Sequence, residues 1–487
     1  MPELRERLGR GGREPPPLEL TRGLAAGGAQ GIGNWALAER HVRRLQERTF
    51  RASREGKWRK VKHLQRLLVR SRSANVLAIR DVTERNAGRF TPGVDGLVYL
   101  TAEAREKLSH EKFDYRTHQP FPVRRTYIPK RDGRRRPLGI PVIRDRVMQA
   151  MVKMALEPQW EAVFEINSYG FRPGRSCQDA VEAIRQAVRD FKRRGYEAWV
   201  FEADIASCFD RIAHAPLLTR IHLFREVVRR WLEAGAMEHG DWTPSEAGTP
   251  QGGVISPLLA NIALDGLERL FAEKWWARVV RYADDFVIVA ATKRIIEGTI
   301  RPAVEKFLAT RGLELNAAKS GVVSLATGFN FLGFTFREFG GTLLVTPQKE
   351  KVRVFLRHIK AILGQNKQVT HRELLARLNP VIRGWANYFR FCNAKRAFKR
   401  VDCLLFWKLW QWARRRHPRK SLAWVRLKYF QGSTQHWSFG LSGGLQLQLA
   451  SALPLLWYRK VPGSASPFNS RWRDYWKRRV RYIVATS

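Results

Sequence analysis

Two adjacent aspartates stand between two runs of β-branched residues. Residues 278–283 lead into Asp284 and Asp285, and residues 286–290 follow, a pattern that predicts a hairpin with its carboxylates at the turn. For an arbitrary hairpin we would expect this turn simply to face solvent. A second acidic strand end changes that interpretation, because Asp204 lies within the apolar, strand-length run 198–205 and supplies a third carboxylate.

Carboxylates at the ends of apolar strands need a cation. Burying one bare carboxylate has an idealised cost of the order of 20 kcal/mol, so a cluster of them must be neutralised. Magnesium is bound through one or two carboxylates plus substrate phosphates, and two such ions about 4 Å apart can activate an attacking hydroxyl and stabilise a leaving pyrophosphate. The three aspartates therefore indicate polymerase chemistry.

A series of segments around these aspartates has a known counterpart. Residues 282–285 resemble the Y-x-D-D signature of reverse transcriptases, and Asp204 stands where their first catalytic aspartate stands. Over residues 91 to 430 the series is similar to that of group II intron-encoded reverse transcriptases. In chain order its blocks are residues 127–130, 136–141, 169–176, Asp204, 249–253, 282–285, 315–319 and 331–334.

The resemblance implies which residues hold metal and do chemistry. Asp204 and Asp284, together with Ile205, would bind two Mg²⁺ ions, and Asp285 would support the site. Lys319 matches the family's candidate proton donor to pyrophosphate. A surface lysine at a helix end is almost as good an interpretation of Lys319.

Contacts to the incoming triphosphate and base are implied in the same way. Lys130 and Arg136 flank a basic turn, and they would grip the triphosphate, Lys as a point charge and Arg as a fork. Gln251 offers an amide to the nucleotide, and Gly252 leaves no side chain between the backbone and the base pair.

The sugar of the nucleotide has its own predicted contacts. Phe209 lies five positions after Asp204 (209 − 204 = 5) and matches the family's bulky residue under the sugar. A ring there would clash with a 2′-hydroxyl and so select deoxynucleotides. Tyr282, which begins the Y-x-D-D signature, completes the predicted nucleotide site. The alternative for Phe209 is ordinary core packing.

RNA contacts are predicted in two places. Residues 377–390 look like the hallmark of the maturase domain, which in that family is a helical thumb that holds the template–primer duplex and the intron RNA. Arg383 and Trp385 lie within this segment and are predicted RNA contacts. Arg172 and Arg175 are the predicted contacts near the palm. The basic helices predicted after residue 34 would add to the RNA grip, as in the family. Three tryptophans beside a run of arginines provide rings for base stacking and cations for phosphate contacts. Packing in the core of a hydrophobic helix bundle explains these tryptophans somewhat better. They are Trp407, Trp410 and Trp412.

Charge and composition restrict the partners. The 487 residues include 88 Lys and Arg against 44 Asp and Glu, a net charge of +44 that would repel itself without an anionic partner such as nucleic acid. No stretch approaches the about 20 apolar residues of a spanning helix. The amino terminus lacks a secretory signal, so we expect no membrane partner and a cytoplasmic, at times nucleoid-associated, location. The four cysteines include no C-x-x-C pair, which disfavours a zinc knuckle.

Together the patterns and the resemblance predict an α+β fold of the right-hand polymerase type. Fingers and a palm with a mixed or antiparallel sheet would precede an α-helical thumb or maturase domain. We predict a flexible extension over 1–33, fingers and palm over 34–345, the thumb over 346–430 and a short basic DNA-binding region over 431–487. No residue set after position 431 could build the HNH nuclease of many relatives, so priming would use an existing DNA end or a nascent strand.

The sequence thus predicts an RNA-directed DNA polymerase that binds a group II intron RNA, assists its splicing and copies it into DNA during target-primed retrohoming. Its partners would be the intron RNA, target DNA, the RNA template–DNA primer duplex and dNTPs. Two alternatives stay open. One is a maturase with an idle polymerase, which the intact aspartates and glycines argue against. The other is a domesticated host enzyme in defence or CRISPR adaptation, which the neighbouring DNA would reveal.

Overall fold

The computed structural model describes residues 34–129, 133, 135–432, 437–442 and 444–486, with side chains as far as Arg479. The predicted extension 1–33 and the predicted triphosphate contact Lys130 lie outside the described residues. The chain forms two compact units. The first contains the residues up to Ala180, Phe201–Val322 and Val461–Thr486; the second contains Val181–Val200 and Val323–Lys460. The functional domains predicted from the sequence stay a prediction, since these units are defined by packing alone.

Helices occupy most of the described chain. Asn34 caps the first by accepting a hydrogen bond from the Leu37 amide (3.1 Å), and the first two helices bury an apolar face while exposing arginines and lysines, which confirms the two basic amphipathic helices. The α-helices are α1 Trp35–Arg54, α2 Trp58–Arg70, α3 Arg72–Arg80, α4 Ala102–His110, α5 Ile143–Glu161, α6 Cys177–Arg193, α7 Cys208–Arg211, α8 His214–Thr219, α9 Arg225–Glu233, α10 Ser256–Leu264, α11 Lys293–Ile295, α12 Arg301–Ala309, α13 Lys349–Gln365, α14 His371–Phe389, α15 Lys395–Arg416, α16 Leu422–Tyr429 and α17 Arg473–Thr486.

Shorter helical segments interrupt or extend these helices. Residues Asp81–Arg85 and Ile296–Ile300 are π-helical, and the second of them joins α11 to α12. The 3₁₀ segments are Ala87–Phe90, Glu268–Phe271, Ala450–Ala452 and Ser470–Trp472.

The strands form four sheets within the described residues. Their orders are β2-β1-β4-β5, β6-β7-β3-β8, β11-β10-β9 and β12-β13. The strands are β1 Val123–Pro129, β2 Arg135–Ile140, β3 Trp199–Asp204, β4 Ala236–Glu238, β5 Asp241–Thr243, β6 Ala277–Tyr282, β7 Asp285–Ala290, β8 Gly321–Ser324, β9 Phe329–Phe331, β10 Phe334–Phe339, β11 Thr342–Pro347, β12 Phe430–Gln431 and β13 Ser438–Phe439.

Two antiparallel hairpins and one strand position the predicted site. In the first sheet β1 pairs with β2 in a register that runs from Arg124 opposite Ile140 to Pro129 opposite Arg135. In the second sheet β6 pairs with β7, and Tyr282 lies opposite Asp285. Since β3 neighbours β7 in this sheet, the strand that ends at Asp204 lies beside the hairpin that carries the adjacent aspartates. The mixed α+β fold and the predicted hairpin are confirmed.

In the second unit an antiparallel three-stranded sheet precedes four helices, α13 to α16, which confirms the predicted helical region. A capping box at Thr370 and Glu373 begins α14. Of the three tryptophans of α15, Trp412 is buried and donates a hydrogen bond to the Asn366 carbonyl (3.0 Å), whereas Trp407 is exposed. Trp410 packs in an aromatic cluster with Phe406, Phe430 and Trp437. Core packing therefore accounts for two of the three.

The chain returns to the first unit at its C-terminal segment, defined here as residues 461–479. Val461, Ala465 and Trp476 form a small buried cluster. The fully buried Asp179 accepts hydrogen bonds from the Val461 amide (2.7 Å) and the Arg479 guanidinium (3.3 Å). The region 431–487, predicted as one DNA-binding piece, is thus shared between the two units.

Further contacts join the C-terminal segment to the rest of the first unit. Arg43 of α1 donates to the Pro467 carbonyl, and Arg473 forms an ion pair with Glu47 (3.1 Å). A Cβ on Gly174 would lie 2.6 Å from the Trp476 ring, so glycine makes room for that ring. In the part of the chain that the structure describes, no helix is both long and apolar enough to cross a membrane.

Trp476→Ala should destabilise the first unit. Removing a buried tryptophan leaves a cavity and typically costs about 3–5 kcal/mol of unfolding free energy. The measurement is chemical denaturation of the full chain, with Trp58→Ala as the matched control because Trp58 is 49% exposed on α2. Equal, small effects of the two substitutions would contradict a structural role for the C-terminal segment.

Candidate active site

Asp204 ends β3, and the segment after α12 holds it in place. The Asn316 amide donates to the Asp204 carbonyl (2.8 Å), and Ile205 forms an isolated bridge with Leu315. The half-buried Asp204 carboxylate accepts hydrogen bonds from the Asn316 side chain (3.1 Å) and from the Lys319 ammonium (3.0 Å). The structure therefore brings Lys319 and the Ile205 backbone to the first predicted catalytic aspartate.

Asp284 lies in the two-residue turn of the β6–β7 hairpin. Because Tyr282 pairs with Asp285, the turn consists of Ala283 and Asp284 alone. Ala283 has a φ of +59°, a left-handed conformation that residues other than glycine seldom adopt. The side chains of Tyr282 and Asp284 are half-buried, and Asp285 is exposed as the first residue of β7.

The two carboxylates share one electrostatic environment. Burial is the main cause that raises the pKa of Asp284 above its ordinary value, and the negative charge of Asp204 raises it further. A backbone hydrogen bond and the positive charges of Arg136 and Lys319 act in the opposite direction. Four residues from remote parts of the chain are thus close enough to act on one another's charge.

A short helix and a loop beside this site carry three of the predicted nucleotide contacts. Phe209 lies half-buried in α7 with its ring edge-to-face against Phe171 (centroids 6.2 Å apart), and its carbonyl accepts from the Thr249 amide. The Gln251 side chain donates to the Asp210 carboxylate (3.1 Å). The loop of residues 249–252 is therefore tied to the helix that carries Phe209.

The strand β2, which carries Arg136 and Gly139, meets this loop at Gly252. Gly252 has a φ of +139°, and a Cβ there would lie 2.6 Å from the Gly139 carbonyl oxygen. Only glycine fits this approach of the loop to the strand. The Gly139 amide also donates to the Gln251 carbonyl (3.0 Å). Arg136 is exposed on the same strand. The strand β2 therefore connects the loop of residues 249–252 to a guanidinium whose positive charge lowers the pKa of Asp284.

The predicted RNA contacts lie in very different surroundings. Arg172 is buried, and four of its five N–H groups donate to the Glu161 carboxylate (2.7 and 2.9 Å) and to the carbonyls of Glu165 and Ser168 (2.6 and 2.8 Å). This geometry favours a structural role over a template contact. Arg175 is half-buried and donates to the carbonyls of Ile166 and Gly463.

In the second unit Arg383 and Trp385 also differ in exposure. Arg383 is exposed on α14, as an RNA contact requires. Trp385 stacks on Phe355 with ring centroids 4.4 Å apart and packs against Phe389 and Phe398. The Trp385 ring therefore fixes the helices of this unit, and its availability for stacking on a base stays a prediction.

Three residues that hold the β6–β7 turn, directly or through one another, were not predicted from the sequence. Arg281 and Asn261 are buried and hydrogen-bonded to each other (3.0 Å), and Gly170 lies directly against the turn backbone. Arg281 stands in a β-branched run, where an arginine is ordinarily interpreted as a solvent-facing residue. Its adjacency to Tyr282 was the only available signal.

The residues of the site fit a divalent cation. Within the described ranges no three or more His, Cys, Asp and Glu side chains come together as a ready metal cluster. Mg²⁺ does not require one, because it is commonly bound by one or two carboxylates together with substrate phosphates. Asp204 and Asp284 supply two oxygen-donor side chains of like charge, and a cation between them would remove the repulsion that raises the pKa of Asp284.

Family comparisons match almost the whole described chain. Residues 128–336 match the family described as "Reverse transcriptase (RNA-dependent DNA polymerase)", and residues 32–111 match "N-terminal domain of reverse transcriptase". Residues 352–430 match "Group II intron, maturase-specific domain".

Individual proteins show the same likeness. Protein YkfC of Escherichia coli (strain K12) is 33% identical over 58% of this chain and 86% of its own length. The group II intron-encoded protein LtrA of Lactococcus lactis subsp. cremoris is 39% identical over 38% of this chain, but this chain spans only 31% of LtrA. Maturase-like protein 1 of Euglena gracilis is 25% identical over 74% of this chain and 77% of its own. Apo telomerase from Candida tropicalis, with a TM-score of 0.42, 12% identity and coverage of 65% of this chain and 59% of its own, is too distant to support an argument.

Asp284→Asn should stabilise the metal-free protein. The substitution keeps the shape of the side chain and removes a charge that burial and Asp204 disfavour, so we expect the unfolding free energy in EDTA to rise by up to about 1 kcal/mol. Excess Mg²⁺ should then raise the Tm of the wild type and not that of the variant.

The exposed neighbour provides the control for that measurement. Asp285→Asn should leave the Tm in EDTA almost unchanged, because solvent already screens its charge. A wild type whose Tm ignores Mg²⁺ would contradict the assignment of a cation to Asp204 and Asp284.

Proposed function

Because the chain belongs to the family of group II intron reverse transcriptases that carry a maturase domain, we propose that its RNA-directed DNA polymerase activity is located at Asp204 and Asp284 and serves a group II intron RNA. One observation supports this location above the others. Two carboxylates from segments 80 positions apart (284 − 204 = 80) lie in one half-buried site with Arg136 and Lys319 within range of their charge.

The aspartates would act as metal ligands. When bound, two Mg²⁺ ions supply activation of the primer 3′-hydroxyl and charge stabilisation on the leaving pyrophosphate. Asp204 and Asp284 are fixed for this task by a strand end and a two-residue turn, so little reorganisation is needed on binding. Asp285 begins the next strand and would support the turn, and the Ile205 carbonyl is a further oxygen donor beside Asp204.

Cations of the chain would bind the triphosphate. Arg136 is exposed on β2 and presents a fork suited to phosphate oxygens, while Gln251 and Gly252 hold the loop that faces the nucleotide. Lys319 donates to Asp204 Oδ2 in the structure, and its exposed ammonium would donate a proton to the leaving pyrophosphate. The phosphate contact of Arg136 and the proton donation by Lys319 are proposals, and the positions of the two residues agree with them.

The second unit would hold RNA. It contains the residues that match the maturase-specific domain, and exposed arginines such as Arg383 provide phosphate contacts. Assistance to splicing, copying of the intron into target DNA and the use of dNTPs by this chain are proposals that follow from family membership. Sequencing the RNA that co-purifies with the protein would identify the partner and would separate an intron-bound enzyme from a domesticated one.

Asp204→Ala and Asp284→Ala should each abolish primer extension. Each variant loses a metal ligand, so we expect the rate of oligo(dT) extension on poly(rA) to fall by at least about 10³-fold. RNA affinity should stay within about twofold of the wild type, because phosphate contacts carry that affinity.

An exposed carboxylate of the second unit is the control. Asp190→Ala removes a side chain that forms only a 3.8 Å exposed ion pair with Arg193, so extension should be unaffected. Absence of extension by the wild type, with RNA affinity intact, would favour the idle-polymerase maturase instead.

Phe209→Ala should weaken discrimination against ribonucleotides. The ring is half-buried in α7 beside the loop of residues 249–252, where it would exclude a 2′-hydroxyl, and its loss should raise the relative use of GTP over dGTP by about 10²-fold. Single-turnover incorporation of each nucleotide measures the ratio. If the ring only packs the core, both rates should fall together and the ratio should not change.

A further inference from the structure

The turn that carries Asp284 is conformationally strained. Ala283 adopts the left-handed region at φ +59°, which costs a non-glycine residue of the order of 1–3 kcal/mol. Such a conformation persists only where surrounding contacts determine it. Arg281 and Gly170 contact Ala283, and Asn261 is hydrogen-bonded to both of them; all three belong to the first unit.

Arg281 grips the strained residue from the preceding strand. Its Nη1 donates to the Ala283 carbonyl (3.0 Å) and to the Asn261 side-chain oxygen (3.0 Å). Its backbone pairs on the other side of β6, where the Arg281 amide donates to the Asn167 carbonyl (2.9 Å) and the Tyr169 amide donates to the Arg281 carbonyl (2.9 Å). One residue therefore links the catalytic turn, α10 and the segment 167–170.

The segment 167–170 closes the frame around the turn. The Asn261 side chain donates to the Gly170 carbonyl (2.9 Å). A Cβ on Gly170 would lie 2.3 Å from the Ala283 nitrogen and 2.9 Å from the Tyr282 carbonyl carbon, so these two backbones touch. Gly170 needs to be glycine because of this approach, since its own φ is not in the left-handed region.

The burial of Arg281 carries a high free-energy cost. The side chain is almost completely buried, and among the described residues its Nε and Nη2 have no hydrogen-bond partner. Burial lowers the pKa of its guanidinium, and the charges of Glu165 and Asp265 only partly offset this. A buried charge with two unbonded nitrogens is weak evidence for a purely stabilising role, because replacing a whole buried ion pair by apolar residues is often neutral or stabilising.

We propose that Arg281 is a positioning residue for Asp284, which it orients by holding the Ala283 carbonyl and Asn261. The proposal rests on the assignment of the polymerase site to Asp204 and Asp284. Arg281 does not touch substrate or metal. It acts through the turn, and loss of its bridge would let Asp284 move relative to Asp204.

Two substitutions of Arg281 separate positioning from folding. Arg281→Lys can satisfy one of the two acceptors, and Arg281→Met satisfies neither. A displacement of about 1 Å at a reacting group can reduce a rate about 10²-fold, so we expect a maximal incorporation rate about 10-fold lower for Lys and about 10²-fold lower for Met. The dNTP concentration that gives half the maximal rate should change by less than about threefold. Arg281→Lys keeps the buried positive charge, so its Tm should stay within a few degrees of the wild type; Arg281→Met leaves Glu165 and Asp265 less compensated, so its rate is compared per folded molecule.

A second measurement reports on the mobility of the turn and does not depend on enzymatic activity. Hydrogen exchange of peptides that cover residues 277–290 should accelerate in both variants, while exchange elsewhere in the first unit is unchanged. Gly170→Ala should have the same local effect by pushing against the Ala283 nitrogen. Gly298→Ala is its matched control, because no atom lies within 4 Å of a Cβ there.

Arg146→Lys is the matched control for Arg281. Arg146 is equally buried but donates to the carbonyls of Pro141, Gly88 and Thr91, away from the turn. A rate for Arg281→Lys equal to that of Arg146→Lys, unchanged exchange of residues 277–290, or a rate loss that only follows the unfolded fraction would each overturn the proposal. Inactivity of the wild type would instead overturn the polymerase assignment, with the exchange result still deciding whether Arg281 holds the turn.

Discussion

Two carboxylates of like charge, those of Asp204 and Asp284, lie together in a half-buried site, and their surroundings counter the repulsion between them. Asp204 is held by Asn316 and Lys319. Asp284 is held through its turn and is influenced by Arg136. The pairing lowers stability unless positive charge offsets it, and Arg136 and Lys319 supply part of that charge. The sheet order, with β3 beside β7, is the structural requirement that follows from it.

Local conformational cost is concentrated at the same place. The left-handed Ala283, the backbone approach at Gly170 and the incompletely bonded guanidinium of Arg281 all lie in or directly beside the β6–β7 turn. Natural proteins accept such features where geometry matters more than stability. The free energy that offsets them comes from apolar packing elsewhere in the first unit, including β6 and β7, whose side chains are largely buried.

Strong periodic signals made much of the fold predictable. The alternation and β-branching of residues 278–290 predicted the hairpin, and the apolar spacing after residue 34 predicted two basic helices. That Asp204 meets Asp284 required the charge argument and the resemblance, since no periodicity tells which strands are neighbours. The interior arginines could not be predicted, because the acceptors of Arg172 and Arg281 come from other segments and an isolated arginine resembles surface charge. The same holds for Asp179, whose partner Arg479 lies 300 positions later.

The net charge of +44 far exceeds what the active site uses, and part of it forms a surface of the first unit. Exposed arginines of α1 and exposed basic residues of α17 meet where Arg43 contacts Pro467 and Arg473 contacts Glu47. Glu47 at this junction is already paired with both arginines, so it does not neutralise the rest. A phosphate backbone could therefore pass from α1 to α17 without leaving the first unit. The RNA contact predicted for the N-terminal helices and the DNA contact predicted for the C-terminal region would then use adjoining parts of one surface, and the two nucleic acids would have to share it or bind in sequence.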